Sequence, residues 1–215
     1  MIEKNTIYNE LKIEIMSGNL LPGNALVERE LCSKYNISRT PMREILWKLA
    51  SDGLLDQERS KGYSVKKISL EEIFNIFQSR EAIEGMAARL ACQKGDDDFF
   101  SKIIKIGERI QEIDIEKRPQ DGIHFGRKLH DLIITTANNP FLLKYYHVLR
   151  NITALTSNIT KKSISIEKQS QKFHLTIINA IKERDEEKSE YCMREHLRIT
   201  CRMMIDYFYP NLFNQ

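Results

Sequence analysis

Five histidines are spread through the 215 residues, and helical periodicity turns three of them inward. His130 shares a stripe with Ile133, Ile134 and Ala137, His174 with Ile177, Ile178 and Ile181, and His196 with Cys192, Met193, Ile199 and Met203. His174 and His196 each lie 11 residues from Asp185, the corner between their helices. Two antiparallel helices rising ~1.5 Å per residue therefore carry both rings to one height. Neutral imidazole is a common metal ligand, and three that converge suit Zn, Ni or a similar divalent ion. The same pattern also fits hydrogen-bonded core histidines, and both readings stand at this point. Three imidazoles with an open position also have the geometry of a hydrolytic zinc site. Against that, no Glu or Asp falls on the inward stripes beside the rings to act as a base.

A second constellation lies near the N-terminus, in Ser38-Arg39-Thr40-Pro41-Met42-Arg43-Glu44. Ser38 is placed as a helix N-cap, and the backbone N–H groups at such a helix start suit a phosphate. Arg39 and Arg43 are four residues apart and project from one side, flanking an apolar face of Met42, Ile45, Leu46 and Leu49. Two guanidinium groups held this way can reach base edges, where a bidentate Arg–guanine contact discriminates by ~1–3 kcal/mol. Arg29 precedes them, and Lys61-Gly62 can enter a minor groove or touch phosphate. A solvated basic face on a helical hairpin satisfies the spacing equally well.

The elements that position these groups follow from periodicity and punctuation. Ile7, Leu11 and Ile15 mark a short helix, a second covers 27–35, and a third runs from Ser38 to Asp52-Gly53. Two short strands, 54–58 and 63–67, flank a turn at Arg59-Ser60-Lys61-Gly62, so the order is that of a winged helix. From Ser69, which forms a capping box with Glu72, the pattern is helical. The first of these helices directs Ile73, Phe74, Phe77, Ile83, Met86, Ala87 and Leu90 inward. The next carries Phe99, Ile103, Ile106, Ile110 and Ile113, and further helices are expected near 121–138, 140–160, 165–184 and 186–209. The fold expected is mainly α, a winged helix-turn-helix over 1–67 and an all-helical bundle of about six helices over 68–215.

Composition narrows the class. No apolar run approaches the ~20 residues of a membrane span, and the polar N-terminus does not read as a secretory signal. Cys32, Cys92, Cys192 and Cys201 form no CxxC pair, so the expected setting is reducing and cytoplasmic. A net charge of +3 is too small for a bulk field to attract nucleic acid, so any such binding must come from locally placed Arg and Lys.

Residues 7–67 resemble the winged helix-turn-helix of the GntR family of bacterial transcription regulators. The resemblance rests on Pro22-Gly23, Leu26-Val27-Glu28-Arg29-Glu30-Leu31, Ser38 through Glu44, Leu49, Asp52-Gly53-Leu54 and Lys61-Gly62-Tyr63-Ser64-Val65. It implies operator contacts from Arg29, Arg39, Arg43 and Gly62 and phosphate contacts from Ser38 and Thr40. Trp47 is expected to pack at the domain's edge, and Ile45 stands where the family usually has a small residue.

Residues 70–205 are similar to the FCD effector-binding domain of the FadR-type branch, most like its metal-binding group. This similarity rests on Arg80-Glu81-Ala82-Ile83-Glu84, Leu129-His130, Asn139-Pro140, His174, Ala180-Ile181 and His196-Leu197. It implies a metal held by His130, His174 and His196 together with an Asp four residues before the first His, where this chain has Gly126. Neither His124 nor Asp121 lies on the face needed to replace it, and His147 has no matching role. Arg80 and Glu84 read as a helix-surface ion pair, with Arg80 as a candidate contact for an anionic effector.

The implied protein is no enzyme. It is a homodimeric regulator of double-stranded DNA with a palindromic operator, and a small organic acid bound in a metal-containing cavity controls its affinity. The alternative is a regulator for which the divalent ion is itself the signal.

Overall fold

A computed structural model describes residues 3–58, 62–160 and 163–209. The chain divides into two compact units, Met1–Ser69 with His147–Ile159, and Leu70–Tyr146 with Thr160–Gln215.

In the first unit, α1 (Lys4–Ser17), α2 (Glu28–Tyr35) and α3 (Arg39–Ser51) pack around a core of Ile7, Leu11, Ile15, Met42, Leu46 and Leu49. The apolar side chains of α1 recur at intervals of four and those of α3 at three and four, so each helix buries one stripe. A three-stranded antiparallel sheet in the order β1-β3-β2 closes the unit, from β1 (Ala25–Leu26), β2 (Leu55–Glu58) and β3 (Gly62–Val65). β1 pairs Ala25 with Ser64, a two-residue strand too short for alternation to reveal. Gly53 adopts φ +76 after α3, a left-handed turn that a residue with a Cβ resists. Ile45 is buried, whereas Trp47, expected to pack, is 63% exposed.

The second unit is helical among the described residues: α4 (Leu70–Lys94), α5 (Asp97–Gln111), α6 (Pro119–Thr136), α7 (Pro140–Thr160), α8 (Ile164–Lys182) and α9 (Glu186–Phe208). The last part of α7 belongs to the first unit and contributes Leu155 to its core. Asp96 caps α5 by accepting from the Phe99 amide, and Asp185 caps α9 by accepting from the Lys188 amide. α4 packs against α6 and α9, and α8 against α5, α6 and α9. The four helices α4, α6, α8 and α9 thus surround one interior.

One expectation fails along α4. Phe74 and Met86, read as inward, are 37% and 38% exposed. The buried residues are Ile73, Phe77, Glu84, Gly85, Ala87, Ala88, Ala91 and Cys92, the side of a helix held between two neighbours.

Candidate functional site

The start of α3 is open to solvent. Ser38, Arg39, Thr40 and Arg43 are exposed, as are Arg29 on α2 and Gly62 at the start of β3, while Lys61 lies outside the described residues. Ser38 occupies the N-cap position but makes no side-chain cap bond. The reason is partly local: the third helical residue is Pro41, which has no N–H for the Ser38 hydroxyl to accept from. No acidic side chain stands in the first turn. The remaining amides and Arg39 therefore face outward, with no acidic side chain from the turn itself beside them. Arg43 is 66% exposed and donates from Nε to Glu28 Oε2 at 2.8 Å, an exposed pair of small worth that a phosphate or base can displace.

The three histidines of the second unit converge as their spacing requires. His130 on α6, His174 on α8 and His196 on α9 are buried, and their candidate ligand nitrogens all lie within 4.8 Å of one another. The Nε2 atoms of His130 and His174 are 3.3 Å apart. Ligands ~2.0–2.1 Å from a tetrahedral metal are separated by about that distance, so the donors present fit a Zn-like ion.

A fourth side chain, absent from the sequence expectation, organises the cluster. Glu84 of α4 is 2% exposed. It accepts from His130 Nδ1 at 2.6 Å through Oε2 and from Arg80 Nε at 2.6 Å through Oε1. Burial works against its charge, but Arg80 and His130 outweigh that and hold the carboxyl well below its usual range. An ionised carboxylate only accepts, so the His130 proton sits on Nδ1 and the Nε2 lone pair points to the other rings. Arg80 and Glu84 are thus a buried pair and not the surface pair expected, with the Arg80 side chain 14% exposed and its guanidinium 5.1 Å from the Phe77 ring centroid. The expectation that no carboxylate stands beside the rings also fails. With one oxygen engaged by Arg80 and the other by His130, however, Glu84 is poorly placed to take up a proton as a general base.

Burial is also the first cause of the lowered pKa of His174, brought to about 3, and of His196, well below 6.5. Neighbouring positive groups add to it. Both rings are therefore neutral at pH 7 and need lose no proton to accept a cation. Gly126 is not simply a ligand position left blank. A Cβ placed there would lie 2.5 Å from His174 Cε1, so the His174 ring occupies the space a side chain would enter. His124 and His147 are exposed and take no part in the cluster.

A winged helix with an exposed basic helix start, carried in one chain with a helical bundle, defines a DNA-binding transcription regulator. The description "Bacterial regulatory proteins, gntR family" matches residues 3–65, and the FCD domain matches residues 75–199, so the chain belongs to the FCD-containing branch of the GntR family. It is similar to the HTH-type transcriptional repressor RspR of Escherichia coli (strain K12), 28% identical over 198 residues covering 89% of this chain and 84% of that protein. It is also similar to the HTH-type transcriptional repressor GlaR of the same strain, 26% identical over 198 residues, with 88% and 90% covered. Among solved structures, E. coli McbR/YncC shares the fold with a TM-score of 0.78 at 20% identity, over 97% of this chain and 100% of that one. No helix among the described residues is long and apolar enough to cross a membrane.

Two outcomes follow for the histidine cluster. In metal-free protein, His174 and His196 have folded pKa values below 6.5, so the unfolded chain binds more protons once pH falls under that value. Glu167, raised to about 7 chiefly by burial, gives an opposite contribution of one proton against two. Net stability is therefore full above pH 7 and declines from about 6.5 downward; thermal unfolding in EDTA between pH 7.5 and 5 checks the sign. Second, Gly126→Ala forces the His174 ring aside. It is expected to cost ~1–3 kcal/mol of stability and to weaken Zn²⁺ or Ni²⁺ binding at least tenfold by calorimetry, whereas unchanged affinity would show that the ring position does not matter.

Proposed function

We propose that this regulator binds a palindromic operator as a homodimer and that a small organic acid, held at a metal in the histidine cluster, sets its affinity for that operator. The observation that carries the DNA half of this reading is the exposed, anion-free first turn of α3 with Arg39 and Arg43 on one side. Ser38 and Thr40 take phosphate there, Arg29 adds a contact from α2, and Lys61-Gly62 belong to the wing. One reading helix covers only a few base pairs, so two copies related by a two-fold axis extend the contact to two half-sites.

His130, His174 and His196 hold the ion, and Glu84 orients His130. The ion, when bound, supplies positive charge and an open coordination position for a carboxylate. With neutral imidazoles as its only side-chain ligands, the bound cation keeps its charge and favours an anionic partner. Arg80 stays engaged by Glu84, so it reinforces the cluster's electrostatics and does not reach an effector directly. An effector that binds one bundle conformation better shifts the population of that conformation, and a coupling of ~1–3 kcal/mol changes operator affinity ~5–150-fold. A second reading, in which the ion alone is the signal, is favoured by the neutral, preassembled state of His174 and His196.

Arg39→Ala and Arg43→Ala are each expected to weaken specific operator binding by ~1–3 kcal/mol and binding to random duplex far less, read by fluorescence anisotropy at fixed salt. Equal losses on both DNAs would overturn direct base reading. For the effector half, small carboxylates added to Zn²⁺- or Ni²⁺-loaded protein should change operator affinity, and His174→Ala should abolish the change. A change produced by the ion without any acid would select the metal-sensor reading.

A further inference from the structure

Trp47 is the single tryptophan of the chain, and α3 leaves it 63% exposed. It stands four residues after Arg43 and seven after Thr40. At ~100° per residue those offsets turn it only ~40° and ~20° away from them, so the three share one face of the helix. The buried residues of α3, Met42, Ile45, Leu46 and Leu49, are turned to the other side. Glu44, the one acidic residue of α3, does not close the outward face to an anion, because it pairs with Lys4 of α1.

We propose that Trp47 reads a base by covering the C5 methyl group of a thymine in the major groove; the inference rests on the operator reading above and adds a residue to it. Chemistry selects the base. An indole is a broad apolar plate with one donor, Nε1–H, at its edge and no acceptor. In the major groove only thymine presents a methyl group together with an acceptor, its O4. The other three bases show polar atoms there, and guanine is the one that suits arginine. A phosphate can accept from the single donor but leaves the plate in water.

Position agrees with chemistry. Trp47 lies ~6 Å beyond Arg43 along the α3 axis at 1.5 Å per residue, which is close to two base steps of ~3.4 Å. The thymine is therefore expected within about two base pairs of the base that Arg43 reads, on the side away from Arg39. The ridge formed by Arg39, Arg43 and Trp47 carries two guanidinium groups followed by an apolar plate. It matches guanines followed by a thymine.

The test starts from duplexes that the full chain selects out of a random pool. Each thymine of the selected operator is replaced in turn by deoxyuridine, which lacks only the methyl group, and affinity is read by fluorescence anisotropy at fixed salt. One replacement per half-site should weaken wild-type binding ~4-fold, the contribution of one buried methyl-sized group. Trp47→Ala, at an exposed position, should bind the thymine operator at least ~4-fold more weakly and no longer distinguish it from the deoxyuridine form; circular dichroism reports that the variant folds. Since no other tryptophan is present, indole emission follows this ring alone, and operator should shield it from acrylamide quenching. A wild-type chain indifferent to every deoxyuridine, a methyl preference that persists in Trp47→Ala, or an indole still open to acrylamide in the complex would each overturn the contact while operator binding stands. A wild-type chain that selects no duplex removes the regulator reading, and the contact with it.

Discussion

The bundle is organised around one buried negative charge. Taking a carboxylate out of water is expensive, and Glu84 is tolerated because Arg80 and His130 each meet one of its oxygens. The arrangement fixes more than charge. It sets the His130 tautomer, turns that ring's free lone pair toward His174 and His196, and ties α4 to α6 through a polar contact that an apolar core would not specify. Removing Glu84 would leave Arg80 as a buried cation without its partner, so the cluster and the helix packing stand or fall together.

Much of this was legible in the sequence because the helices are strongly periodic and sharply punctuated. Asp96 and Asp185 stand as caps where the chain's acidic corners put them, and the equal spacing of His174 and His196 from Asp185 brings their rings together because the two helices are antiparallel neighbours. The winged order was legible from three short helices ended by Pro22-Gly23 and Asp52-Gly53 and from two short strand candidates flanking a turn. β1 was not, since two residues carry no period and gain strand geometry only from pairing with β3.

The misreadings share a cause. Arg80 and Glu84 at an interval of four look like a solvated pair, although Glu84 sits in the seven-residue repeat of Ile73, Phe77, Ala87 and Ala91 that marks the buried seam. Met86 is apolar but lies at an angle off the buried side of α4, whereas Phe74 shares the angle of buried Cys92 and is exposed near the start of the helix. Gly126 reads as a lost ligand in one dimension. In three, it is the clearance that lets the His174 ring sit against α6. Residue type suggested one side for each of these positions, and helical angle or steric room decided the other.

Pro41 has an energetic meaning of its own. An N-cap that bonds its helix is worth ~1 kcal/mol, and Ser38 forgoes that stabilisation. A backbone phosphate placed at the same amides would return it, and would do so at any nucleotide along a duplex. The gain therefore belongs to adhesion in general and contributes nothing to telling one base sequence from another.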